Sequence, residues 1–366
     1  MIQQLIYLTI GLTLNLNAGA VIHYKETNPD STFTDGPYIF FKNNELTAKW
    51  IEDNSLKERF ITHDSFEDLK KQFSLNCSYS QLHGAMYLKP RFRQYYNKVD
   101  SIAVISDIHG EYNSYINLLK VNGIIRDDLS WNFGKGHLVI LGDVFDRGDK
   151  VTELLWHIFC LEKQAEKAGG MVHMLLGNHE LMVLGRDMGY INDKYEKVQN
   201  ISQTYYFDLY SDSTILGKWL RSKPVMMTIN DIIFIHAGIS MDMMNKKLDV
   251  SEVNRKFSKT LFGRDFGIAF NDDLLNFLND SDGPIWYRGY FTDPAFCETK
   301  IDSILNFYGK KHIIVGHTPH EGVVSLYNTK ILGSDSGIGN KRPGEIIIIK
   351  NGVIYKSCSR GIRVKL

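Results

Sequence analysis

Five short apolar runs each end in residues able to hold a metal ion, and this repetition constrains the chain more than any other feature. Ile102-Ala103-Val104-Ile105 runs into Ser106-Asp107-Ile108-His109-Gly110. Leu138-Val139-Ile140-Leu141 runs into Gly142-Asp143-Val144-Phe145-Asp146-Arg147-Gly148. Met171 to Leu176 runs into Gly177-Asn178-His179-Glu180. Ile232–Ile235 leads to His236-Ala237-Gly238, and Ile313–Val315 leads to Gly316-His317-Thr318-Pro319-His320. Continuous apolar runs of this length predict strands buried on both faces. In open α/β sheets the ligand site lies beyond the carboxyl ends of such strands. The five clusters are therefore expected to converge in space. Any one of them alone could be a turn, a capping loop or a core histidine, and His137, His157 and His173 keep that plain reading. The set, in order and each after a strand, points to a metal site.

The rest of the pattern supports an α/β fold. Helices are predicted over 112–121, through Val151, Leu154, Leu155, Ile158 and Phe159 on one face, and in longer stretches over 196–222 and 246–308. Further strands are predicted at Val225–Ile229, Glu345–Ile349 and Val353–Tyr355. Alternation of strand and helix, followed by a strand-rich end, indicates an α/β domain with helical insertions over 98–358. Ahead of it, 21–97 reads as an extension. Its start, 21–37, is a polar leader, and Tyr38-Ile39-Phe40-Phe41, Asn43-Asn44 and Leu46–Ile51 form a β-hairpin. Helical pattern returns around Phe66 to Phe73.

Composition excludes several classes. Of 366 residues 43% are apolar and 23% charged, which is globular. Lys+Arg and Asp+Glu are both 42, so no excess of positive charge favours nucleic acid or an anionic membrane. No apolar run is long enough to span a bilayer stably. Residues 1–20 carry no charged side chain. They combine a short apolar stretch, Leu5 to Leu14, with the small-residue site Ala18-Gly19-Ala20. The expectation is a cleaved export signal, hence a periplasmic or secreted protein. The alternative is a buried N-terminal strand. Cys77, Cys160, Cys297 and Cys358 make no C-x-x-C pair and are expected as buried thiols more than bridges. None has Arg six residues on: His83, Glu166, Ser303 and Val364 stand there. The cysteine-dependent mode of phosphate cleavage is thereby absent.

As a set, the Asp-x-His-Gly, Gly-Asp-x-x-Asp-Arg-Gly and Gly-Asn-His-Glu motifs and the two late histidines resemble the binuclear metallophosphoesterases. Within these they are most similar to the phosphoprotein phosphatase family. The resemblance covers roughly residues 100–350, with Ser106 in place of a glycine. It implies two packed β-sheets flanked by helices, the calcineurin-like β-sandwich.

It also implies Asp107, His109 and Asp143 as ligands of one divalent ion. Asp143 bridges to a second ion completed by Asn178, His236 and His317, the pair being Mn²⁺, Fe or Zn²⁺. A water shared by ions about 3.5–4 Å apart would attack phosphorus as hydroxide. His179 would protonate the leaving oxygen, oriented by Asp146. Arg147, Asn178 and Arg288 would hold the phosphoryl group. Asp146 and Arg147 could instead form a structural ion pair, and Arg288 could be a surface arginine.

Leu175-Leu176 before Gly177, and Gly333-Ser334-Asp335-Ser336-Gly337 near the end, depart from the eukaryotic Ser/Thr branch, and the helical insertion and the Gly316-His317-Thr318-Pro319 form look instead like the bacterial Shewanella-like phosphatases. Asp335 reads as structural support beside the site. The expected substrate is a protein or peptide phosphorylated on tyrosine and/or on serine or threonine; some members of that group prefer phosphotyrosine, and the resemblance suggests the same preference here. Hydrolysis of dinucleoside polyphosphates, or a non-catalytic binding scaffold, are the alternatives.

Overall fold

The computed structural model describes residues 32–89, 93–262 and 272–366. The expected export signal, residues 1–20, lies outside them. Phe33–Leu366 form one compact unit.

The first sheet is a meander of β1 (Asp35–Lys42), β2 (Glu45–Glu52) and β3 (Ser55–Ile61). Asn43 and Asn44 both have positive φ, 49° and 67°. These turn residues match the right-handed twist of the strands they join. Asp53 and Asn54 repeat the device at the next turn, so the expected hairpin gains a third strand. β3 escaped the sequence reading because its first six residues are all exposed and carry no core pattern. Asp35, Gly36 and Pro37, expected in a polar leader, lie buried in β1. Pro37 is tied to the main body, since its carbonyl accepts a bond from Trp156 Nε1 at 2.9 Å.

Two six-stranded sheets carry the site. They use β4 (Tyr95–Tyr96), β5 (Ser101–Ile105), β6 (His137–Ile140), β7 (Met171–Met174), β8 (Met226–Ile229), β9 (Ile232–Ile235) and β10 (His312–Val315). They are completed by β11 (Val324–Leu326), β12 (Ile331–Gly333), β13 (Glu345–Lys350), β14 (Val353–Cys358) and β15 (Arg363–Lys365). One sheet has the order β11-β12-β10-β9-β8-β4 and the other β15-β14-β13-β5-β6-β7. β4 and β15 add edges lying outside 98–358.

The period-2 alternation of a strand sends its residues to two cores. Ile102, Val104, Val139 and Leu141 meet Met227, Phe234, Ile314 and Leu332 in the core between the sheets. Their neighbours Ala103, Ile105, Leu138 and Ile140 join Leu118, Leu154, Leu155 and Ile158 in the core under the helices. Both faces of β5 and β6 are thus covered, which is why their sequences are unbroken apolar runs. Helices occupy Tyr112–Val121 and Val151–Lys167, as the periodicity predicts.

The longer helical stretches are broken. Asp193–Ser202 and Ile215–Arg221 flank a 3₁₀ turn at Tyr206–Tyr210. The second helix starts where Thr214 caps it, accepting from Gly217 N at 3.1 Å. The later stretch splits into Val250–Phe262, Asp273–Leu278, Gly289–Thr292 and Glu298–Tyr308. All four cysteines are free thiols, Cys77 and Cys160 buried, Cys297 exposed and Cys358 between. Among the described residues no helix is long and apolar enough to cross a membrane.

Candidate metal centre

Strands β5, β6, β7, β9 and β10 deliver their terminal loops to one place. Asp107 N donates to Gly142 O at 3.1 Å, His109 N to Asp143 O at 2.9 Å, and Gly316 N to His236 O at 2.7 Å. The turns are sharp. Asp107, His109, Asp143, Asp146, Arg147 and His317 all hold positive φ between 46° and 72°. Non-glycine residues adopt this region rarely, and such strain gathers at functional sites. Two glycines admit the carboxylates: a Cβ at Gly177 would lie 2.2 Å from Asp143 Oδ1, and one at Gly316 would lie 2.3 Å from Asp107 Oδ2.

The Asp143 carboxylate sits among three imidazoles. Its Oδ2 is 3.7 Å from His109 Nε2 and 3.9 Å from His179 Nε2, and its Oδ1 is 3.3 Å from His236 Nε2. His236 Nε2 also lies 2.9 Å from Asn178 Oδ1. Ligating atoms gather in two compact sets, His109 with Asp143 and His179, and Asp143 with His236 and His317.

The second nitrogen of each ring decides what the first can do. His109 Nδ1 faces Phe145 O at 2.7 Å, His236 Nδ1 faces Leu141 O at 2.7 Å, and His317 Nε2 faces Trp286 O at 3.1 Å. A carbonyl only accepts, so these nitrogens donate. In the neutral ring the opposite nitrogen then turns a lone pair toward the centre, the arrangement of metal-ligating histidines. At His236 that lone pair would face two oxygen acceptors, a clash that a shared cation or a proton resolves. The residues present therefore fit a pair of divalent ions.

The charges agree. Burial opposes ionisation of Asp143, but His236, His179 and His109 outweigh it and hold its carboxyl well below the usual range. Burial pushes the His109 imidazole down to about 3. Burial, then His236 and Arg288, takes His317 down to about 2. Both rings are thus neutral, as ligands must be. His236 shows the opposite: burial would lower it, yet Asp143 lifts it to about 9.

His179 differs from the other three rings. Its Nδ1 meets a carboxylate, Asp146 Oδ2, at 2.6 Å. Burial raises the Asp146 carboxyl, and the bond to His179 works against that rise. Asp146 thus pairs with His179, while Arg147 is exposed at the rim. Asp107, 2% exposed, stands outside both compact sets. Its oxygens accept from His317 N at 3.1 and 2.9 Å, and burial lifts its carboxyl to about 6. Arg288 is exposed and donates from Nη1 to His317 O at 2.7 Å. Asp335 is buried close by, with Oδ1 accepting from Gly337 N at 3.0 Å.

Residues 101–321 match the calcineurin-like phosphoesterase family. The chain belongs to that family. A solved cold-active protein-tyrosine phosphatase of a psychrophilic Shewanella species superposes with TM-score 0.83 and is 35% identical, covering 92% of this chain and 100% of that one. The Shewanella-like protein phosphatase 1 of Plasmodium berghei (strain Anka) is 29% identical over 258 residues, 67% of this chain and 70% of that protein. A symmetrical bis(5'-nucleosyl)-tetraphosphatase of Buchnera aphidicola subsp. Schizaphis graminum (strain Sg) is 29% identical over 222 residues, 58% of this chain and 72% of that protein. This calcineurin-like phosphoesterase is a metal-dependent phosphatase with the family's sheet pair.

Two supports in its site went unassigned in the sequence reading. Glu180 is fully buried and accepts from Asp143 N at 2.8 Å, Val144 N at 2.7 Å, Phe145 N at 3.3 Å and Gly177 N at 2.7 Å. It clamps the loop after β6 to the helix Asn178–Leu184. Its place in Gly-Asn-His-Glu was visible, but not its partners, which are backbone groups of another loop. Tyr190, in no motif, packs edge-on against His179 with ring centres 5.4 Å apart.

Proposed function

We propose that this phosphatase removes phosphoryl groups from phosphorylated proteins or peptides, with Asp107, His109 and Asp143 on one ion and Asp143, Asn178, His236 and His317 on the other. The observation that carries the reading is the Asp143 carboxylate shared between the two sets of ligating atoms. The names of the relatives support the phosphoprotein class. Bound there, two ions of the Mn²⁺, Fe or Zn²⁺ type supply Lewis acidity to the phosphoryl oxygens and a nucleophilic water at neutral pH.

The chain's own residues do the rest. With Nδ1 engaged by Asp146, His179 presents Nε2 to the leaving oxygen and donates the proton there. Arg147 and Arg288 stand at the rim with exposed side chains, placed to bind the non-bridging oxygens, a task suited to a planar guanidinium. Asn178 would hold its ion through Oδ1, which lies 2.9 Å from His236 Nε2, leaving Nδ2, which here donates to Met182 Sδ at 3.8 Å, as the donor for the substrate. Dinucleoside polyphosphate cleavage is the second reading, favoured by the shorter match to the tetraphosphatase. For localisation we propose export, on the uncharged 1–20 segment and its Ala18-Gly19-Ala20 site. A mature chain beginning at Val21 by mass spectrometry supports it, and an intact Met1 opposes it.

The deciding experiment is turnover by the metal-stripped chain reloaded with Mn²⁺. Phosphotyrosyl, phosphoseryl and phosphothreonyl peptides run beside diadenosine tetraphosphate. Metal-dependent turnover of a peptide upholds the reading. Turnover of the dinucleotide alone replaces it with the second.

A further inference from the structure

Tyr190 is an aromatic residue left in the open beside the group that meets the leaving oxygen. Its side chain is 57% exposed, although an aromatic ring ordinarily gains by burial. It packs edge-on against His179, with ring centres 5.4 Å apart at 72°. The segment carrying it is fastened to the peptide of Arg147. Arg147 N donates to Tyr190 O at 3.0 Å, and Asn192 Nδ2 donates to Arg147 O at 2.8 Å. The ring is therefore set in place relative to both the acid and the phosphate clamp, with a face free.

The depth of the centre gives this placement its meaning. Asp143 and Asn178 are each 2% exposed and His236 is fully buried, whereas Arg147 and Tyr190 are exposed. Phosphorus must reach the floor while the rest of the substrate stays at the rim. A tyrosyl phosphate carries its phosphorus a ring-length beyond the peptide backbone, and a seryl phosphate only one methylene beyond it. The leaving oxygen lies at His179 Nε2, so the atoms attached to it pass beside His179, where Tyr190 stands. An aryl leaving group can lay its ring against Tyr190, and an alkyl one has nothing to offer it.

We propose that Tyr190 is a specificity-determining residue that selects aryl over alkyl phosphomonoesters. This rests on the phosphatase reading and on the proton-donating role of His179. Aromatic contact of this kind is worth roughly tenfold in binding, and it raises kcat/KM for the substrate that makes it.

The test uses the full Mn²⁺-loaded chain and two peptides of one sequence, phosphotyrosyl and phosphoseryl. Tyr190→Ala is expected to lower kcat/KM about tenfold on the first and less than about threefold on the second, and Tyr190→Phe to keep the wild-type ratio. Calorimetry gives an independent readout: Tyr190→Ala weakens benzylphosphonate about tenfold and leaves butylphosphonate unchanged. The same comparison on wild type, benzylphosphonate the tighter, holds even if the alanine variant misfolds. Equal losses on both peptides, or a wild type that binds the alkyl phosphonate as tightly, overturn the role of Tyr190 and leave the phosphatase reading intact. A wild type that cleaves neither peptide overturns both.

Discussion

His179 Nδ1 and Asp146 Oδ2 lie 2.6 Å apart, with both side chains buried. Among the described residues Asp146 Oδ1 has no hydrogen-bond partner, and the bond the carboxylate makes is to the imidazole. It fixes the tautomer that leaves Nε2 available. Asp146→Asn keeps the shape but loses the charge. Its kcat is expected to fall at least about 100-fold, as misoriented acid–base pairs do. KM should move little and metal content not at all. Steady-state kinetics with metal analysis on the same sample checks all three.

His236 touches both Asn178 and Asp143, at 2.9 and 3.3 Å. His236→Ala should lower the metal content from about two ions per chain to about one. Elemental mass spectrometry after dialysis reads this directly, without an activity assay. Chelation of the wild type should abolish turnover, and added Mn²⁺ should restore it. A variant that keeps its full metal content removes His236 from the ligands.

Glu180 supports the centre through backbone alone, accepting from four N–H groups of two loops. Glu180→Gln replaces one acceptor oxygen by a donor that faces those N–H groups in a buried site. The loss is expected to be about 2–4 kcal/mol of stability, since charged, buried hydrogen bonds are broken. Metal affinity should weaken roughly 10–100-fold, because the ligand loop is no longer held. Chemical denaturation and metal titration separate the two effects.

His157 offers a pH test away from the centre. It is buried, with Nε2 facing Leu129 O and Nδ1 facing Tyr115 OH, both at 3.2 Å. Burial takes its pKa from 6.5 down to about 4. The unfolded chain therefore binds a proton that the folded chain refuses. The stability His157 contributes is complete above about pH 6.5 and is lost as pH falls toward 4, about 3 kcal/mol in all. His157→Gln should flatten that part of the melting-temperature profile. An unchanged acid slope would place the loss elsewhere.

Much of this architecture was legible from residue order. The runs Ile102–Ile105 and Leu138–Leu141 read as strands because two covered faces demand apolar residues at every position, and runs this short, each followed by a glycine-bearing turn, are too brief for a buried helix. The helix Val151–Lys167 was equally plain from its apolar spacing, although its first three turns are buried nearly all round. What failed was the surface. β3 shows no alternation because only Ile61 is buried. The long helical stretches broke where caps such as Thr214 intervene, since local capping competes with helix continuation within a single turn. Asp35 to Pro37 looked like a leader because its burial comes from tertiary partners, Trp156 and Lys194 among them.

By itself the sequence determined which chemistry is available: carboxylates, imidazoles and one amide at the ends of five buried strands, with no cysteine nucleophile. Strand propensity and motif order are local, so they can be read in one dimension. Only the tertiary structure decided how those groups face one another. It set Asp143 between three imidazoles, tied one nitrogen of His109, His236 and His317 to carbonyls far along the chain, and gave His179 a carboxylate instead. It put Glu180 behind the centre and Tyr190 in front of it. Most of these contacts join residues tens of positions apart. Their energies come from burial and hydrogen-bond direction, and neither quantity exists until the sheets have packed.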